Sequence, residues 1–199
     1  MINSPPTTDE SPLIQIVTLS AAAAAGAGGL IHLKVLGDHL DLALVAGGFA
    51  LMGLLQWTFV WCILSRPSHG VLLLGGLLHA GIAMLWMVSR TVGLAFINGA
   101  QDPEAVGVAD LAANTFSVAV VGAAFVGLGL YRSGQPVVIP PSIATRVRGL
   151  VLAGAIFLTV PALLAPHSHA VSDSHVTEVG YDHARPPSPE NSEHDHAGA

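Results

Sequence analysis

The chain has 199 residues, 52% hydrophobic and only 10% charged, with a formal net charge of −6 and a mean hydropathy of +0.63. Soluble domains carry about a quarter charged residues, so this composition calls for a solvent other than water. The acidic balance offers no basic surface to track a phosphate backbone, which argues against nucleic acid as a partner, and the single Cys62 excludes an intrachain disulfide framework or a cysteine-based metal cage.

Five stretches approach the roughly 20 apolar residues needed to cross a hydrocarbon core of about 30 Å: Leu13–Leu33, Leu42–Leu64, Val71–Val88, Val106–Tyr131 and Leu150–Ala165. The expectation is therefore an all-α fold, a polytopic transmembrane helical bundle of about five spans whose main partner is the lipid bilayer. It divides into a polar N-terminal segment (1–12), the bundle (13–165) and a His-rich C-terminal tail (166–199).

The first stretch is rich in alanine and reads as the weakest. Ala21–Ala25 offers small residues of the kind a signal peptidase accepts, but only Asp9 and Glu10 precede Leu13, with no Lys or Arg, so a retained span is expected. The second and fourth stretches are long, contain no Lys or Arg and end at Arg66 and Arg132, which makes them the clearest spans. Ser133–Thr145, with Pro136, Pro140 and Pro141, reads as an extended cytoplasmic linker. The fifth stretch is short and carries Pro161, so it reads either as a tilted span or as an interfacial segment.

With five spans, Arg66, Arg132, Arg146 and Arg148 fall on one side, whereas Lys34 and Arg90, with the distant Arg185, fall on the other. The first side is expected to be cytoplasmic, which puts the amino terminus inside the cell membrane and the tail outside.

Within the spans, small residues four apart, as in Ala22/Gly26, Ala25/Gly29 and Ala119/Ala123/Gly127, are expected at helix–helix contacts. Polar residues are costly in lipid and mark the candidate site. His79, Trp86 and Arg90 share one face of the third span, and Asp110, Asn114 and Ser117 form a stripe on the fourth, so the stripes are expected to face each other, with Arg90 and Asp110 paired. The plain reading of that pair is a register lock that binds nothing.

His32, His39 and His79, with Lys34 and Asp41, could line a cavity open to the outside. His32 and His79 on facing helices are the minimum for a bis-histidine haem, against the plainer reading of packed, hydrogen-bonded histidines. Gln56 and Met52 could extend an internal polar path, against the preferred reading of ordinary interhelical hydrogen bonding and packing.

The tail carries His167, His169, His175, His183, His194 and His196, interleaved with Asp173, Asp182, Glu193 and Asp195, in a composition that reads as disordered. In extended chain, residues two apart point the same way, so each His-x-His pair can present two imidazoles to one copper, zinc or nickel ion in loose, exchangeable binding. No Gly-x-Ser-x-Gly, His-Glu-x-x-His, phosphate loop or Cys-x-x-Cys occurs, and an enzyme is not expected.

The stretch Trp86–Gly93, followed by Pro103–Asp110, resembles small multi-pass membrane proteins of actinobacteria. The resemblance spans the first four helices. It implies a helical membrane bundle in which Arg90, Glu104 and Asp110 belong to a recurring pattern, and it implies no activity. The first expectation for function is thus a non-catalytic accessory or sensor-like membrane component whose tail binds metal ions. The alternatives are a small-solute or ion transporter, which with five helices per copy needs a homo-oligomer or a membrane-protein partner, and a haem-based electron carrier.

Overall fold

The computed structural model describes residues 12–95, 97, 101–103, 105–133 and 139–165. Five helices follow in chain order: α1 (Pro12–Asp38), α2 (Ala43–Ser65), α3 (His69–Thr91), α4 (Val108–Ser133) and α5 (Pro141–Leu164). Each is long and apolar enough to cross a membrane, and no strand occurs among the described residues. The chain is an all-α, multi-pass membrane protein. The tail histidines, the N-terminal polar segment and Glu104 lie outside the described residues.

The outside of the bundle is greasy. Trp61, Leu74, Phe125, Phe157 and Leu164 each expose more than two thirds of their surface, a distribution that suits lipid. Hydroxyls on this surface turn back on their own helix: Thr58 donates to the Leu54 carbonyl at 2.8 Å and Thr115 to Leu111 at 2.7 Å. A polar side chain can face hydrocarbon on those terms, because its hydrogen bond is made within the helix.

α1, which composition ranked weakest, is the central helix. It packs closely on α2, α4 and α5, while α3 packs on α4 and barely touches α2. Ala21, Ala22, Ala24, Ala25, Ala27, Gly28 and Gly29 are all buried. Small side chains around the whole circumference let neighbouring backbones come close, which in lipid is the main source of helix–helix attraction. At Gly29 an added methyl would lie 2.9 Å from the Trp57 indole, and one at Gly53 would lie 3.5 Å from the Gly29 carbonyl, so α1 and α2 meet glycine to glycine.

Cross-contacts fix the helix directions. Arg148 near the start of α5 donates to Gln15 near the start of α1. At the opposite ends, the Lys34 ammonium donates to the Ala165 carbonyl at 3.2 Å and pairs with Asp38 at 2.8 Å. α1 and α5 therefore run parallel. The Arg90–Asp110 pair joins the end of α3 to the start of α4, which run antiparallel.

Three expectations change. α5 starts at Pro141 and not Leu150, so the linker's last five residues are helical; Pro141 occupies the first turn, where its missing N–H costs nothing. The helix continues through Pro161 to Leu164, which makes α5 long and apolar enough to cross a membrane. On α4 the contact row is not Ala119/Ala123/Gly127: Ala119 is exposed, and the buried face runs Ala109, Ala113, Phe116, Ser117, Val120, Ala124 and Gly127. Fours alone do not say which of several small-residue rows faces the bundle.

At Gly75 an added methyl would overlap the Phe59 ring, at the point where α2 and α3 touch. Gly75→Ala is expected to lower stability by about 1–3 kcal/mol. Gly81, with open space around it, should tolerate alanine. Thermal unfolding of both variants in detergent checks the contrast.

Candidate functional site

The two polar stripes meet at Arg90 and Asp110. Arg90 Nη2 meets Asp110 Oδ1 at 2.8 Å, and the side chains are 10% and 14% exposed. Asp110 Oδ2 accepts the Gly107 backbone N–H at 3.0 Å, so the carboxylate also caps the start of α4. Its charge lies at the positive end of the α4 dipole, and Arg90 lies in the last turn of α3, at the negative end of that helix. Both carboxylate oxygens are engaged within the protein. The register set by this pair and by the Gly76–Ala124 contact brings Trp86 level with Asn114.

His32 and Gln56 form a second polar link, across α1 and α2, with His32 Nδ1 2.7 Å from Gln56 Oε1. Gln56 is fully buried and makes this contact beside Gly28, where an added methyl would lie 3.0 Å from its amide nitrogen. The interhelical hydrogen bond expected of Gln56 is made, and its partner is a candidate site residue. Its spacing gave no sign of this, because the match depends on how α1 and α2 cross.

His79 is also fully buried, yet it does not join His32. Its Nδ1 lies 2.9 Å from the Gly75 carbonyl of its own helix, and its ring meets Phe59 edge-on at 5.5 Å. A carbonyl only accepts, so Nδ1 carries the proton and Nε2 is a bare acceptor. That Nε2, Gln56 Nε2, Trp86 Nε1, Asn114 Oδ1 and Ser117 Oγ are buried with no hydrogen-bond partner among the described residues.

A cavity of about 140 Å³ lies in the half of the bundle near the α1–α2 turn and the α3–α4 loop. Ile31, His32 and Val35 of α1, Leu44, Gly48 and Phe49 of α2, Ile82, Leu85 and Trp86 of α3, and Ala113 of α4 contribute to its walls, with Arg90 and Asp110 at its polar end. It occupies the gap left where α2 and α3 diverge above Phe59. Its apolar walls were not legible in the sequence, because they bear no signal beyond that of ordinary span residues.

Of the residues expected to line an outward cavity, His32 alone does so. Lys34 is helical and pairs with Asp38, Asp41 is exposed, and His39 is buried against Phe49 with ring centroids 5.2 Å apart. His79, Asn114, Gln56 and Ser117 do not line the cavity. His32 and His79 therefore do not share this cavity, whose volume is below the roughly 300–1,000 Å³ of pockets for larger ligands. No cluster of three or more His, Cys, Asp or Glu suited to a metal ion occurs among the described residues.

No protein-family model, no curated protein and no solved structure matches this chain.

The pair Arg90–Asp110 is expected to be worth more than either charge alone. Arg90→Ala or Asp110→Ala should each destabilise the protein by about 3–5 kcal/mol, because one buried charge is left unpaired. The double variant should lose much less than the two losses added, and a double-mutant cycle on unfolding in detergent measures the coupling.

Proposed function

We propose that the chain is a non-catalytic accessory or sensor-like membrane component that receives a small ligand in the cavity between α2 and α3. The observation that carries this reading is the cavity itself: a largely apolar space with a few convergent polar groups at one end, in a bundle otherwise closely packed around α1. Ligand sites between helices have this make-up. The fixed pair of charges and the buried histidine–glutamine link hold the walls without being needed for a reaction.

The arginine-rich ends of α2, α4 and α5 face the cytoplasm in this reading, and the cavity lies in the outer half. The His-rich tail then leaves α5 on the outside, where it gathers copper or zinc loosely.

Native mass spectrometry of the protein extracted from its own membrane should show a small molecule bound one to one. Gly48→Leu should remove it: Gly48 lines the cavity, and a Cβ added there meets no atom within 4 Å, so the larger side chain has room to enter. A preparation free of any bound molecule, with wild type and Gly48→Leu equally stable, defeats the reading. For the tail, copper or zinc titrated into the full chain should bind with a stoichiometry that falls when Pro166–Ala199 is deleted; an unchanged stoichiometry rejects metal binding there.

A further inference from the structure

We infer that the cavity between α2 and α3 takes an uncharged, apolar group about the size of one benzene ring, delivered sideways from the lipid. This rests on the cavity's being a ligand site, and it names the chemistry of the ligand.

Size comes first. The cavity measures about 140 Å³. An apolar protein cavity of about 150 Å³ stays dry and accepts benzene. The space therefore suits a single ring or a comparably short branched alkyl group, with any longer tail left outside.

The walls decide polarity. Ile31, Val35, Ile82 and Ala113 close the inner side, and Phe49 and Trp86 give aromatic surfaces. Phe49 also stacks on His32 with ring centroids 5.9 Å apart, so the imidazole face is partly covered.

Charge is settled by the pair at the polar end. Asp110 has one oxygen on Arg90 and the other on the Gly107 N–H, so the pair is neutral and its carboxylate is engaged on both sides. A carboxylate ligand would bring a second negative charge beside Asp110, and an ammonium ligand a second positive charge beside Arg90. Each would add an uncompensated charge to a neutral pair, a large cost in a site of low polarity. An uncharged ligand leaves the pair intact.

The route follows from the helix packing. α2 and α3 touch mainly where Phe59 fills the space over Gly75, and beyond that point they separate. Leu44 and Leu85, which border the cavity on these two helices, are 66% and 42% exposed. On a span, exposed leucines face hydrocarbon, so the entrance opens to lipid and selects molecules already dissolved there.

The test uses the full chain in phospholipid nanodiscs, with fluorobenzene as probe and its ¹⁹F signal as readout. Wild type should bind it saturably beyond lipid partitioning, and benzoate should bind at least about tenfold more weakly. Gly48→Leu should weaken fluorobenzene by at least about tenfold by filling the space. Gly47→Leu, which adds the same bulk at an exposed neighbour outside the cavity lining, should bind like wild type. Equal loss in both variants, or none in either, overturns the site; tighter benzoate binding overturns the uncharged ligand. Binding in detergent that disappears in nanodiscs means that a lipid acyl chain fills the cavity, which also overturns the inference. If native mass spectrometry finds a charged ligand lost in Gly48→Leu while fluorobenzene fails to bind, the ligand-site reading survives and this inference falls.

Discussion

The arrangement depends on the close approach that α1 allows. In lipid there is no hydrophobic gain from bringing two apolar helices together, so attraction comes from van der Waals contact and hydrogen bonds, and both need short distances. Alanine and glycine on every side of α1 supply those distances to α2, α4 and α5 at once. A helix of leucines would be more hydrophobic and would still hold its neighbours apart. The same feature that makes α1 look marginal as a span makes it effective as an axis.

Because α1 gathers α2 and α4 but not α3, the bundle closes unevenly. α3 is held through α4, by Gly76 against Ala124 low in the seam and by Arg90–Asp110 at its end. α2 and α3 meet at Phe59 and Gly75, and the space beyond that contact becomes the cavity. The ion pair holds the end of α3 to the start of α4 and also borders that cavity.

The interior carries more polar atoms than its hydrogen bonds account for. Gln56, His79 and Ser117 are fully buried on three different helices, and each keeps an atom without a partner among the described residues. Such groups cost stability in a low-dielectric interior. The His32–Gln56 link also limits how α1 and α2 can slide, because it is available in one arrangement. Poor satisfaction and a fixed arrangement go together here.

The sequence by itself determined that the chain is an all-helical membrane bundle, since length, hydropathy and the placement of arginines depend only on the solvent around each span. It also made the Arg90–Asp110 pair legible: two opposite charges at the facing ends of consecutive spans have little choice of partner. Tertiary structure decided the rest. Which small-residue row faces inward, that α1 and not α2 is central, that His32 meets Gln56 while His79 turns to its own helix, and that a space opens between α2 and α3 all follow from crossing angles and rotations about helix axes. Those rotations are set by the sum of many weak contacts between helices distant in sequence, and no local pattern of residues encodes them.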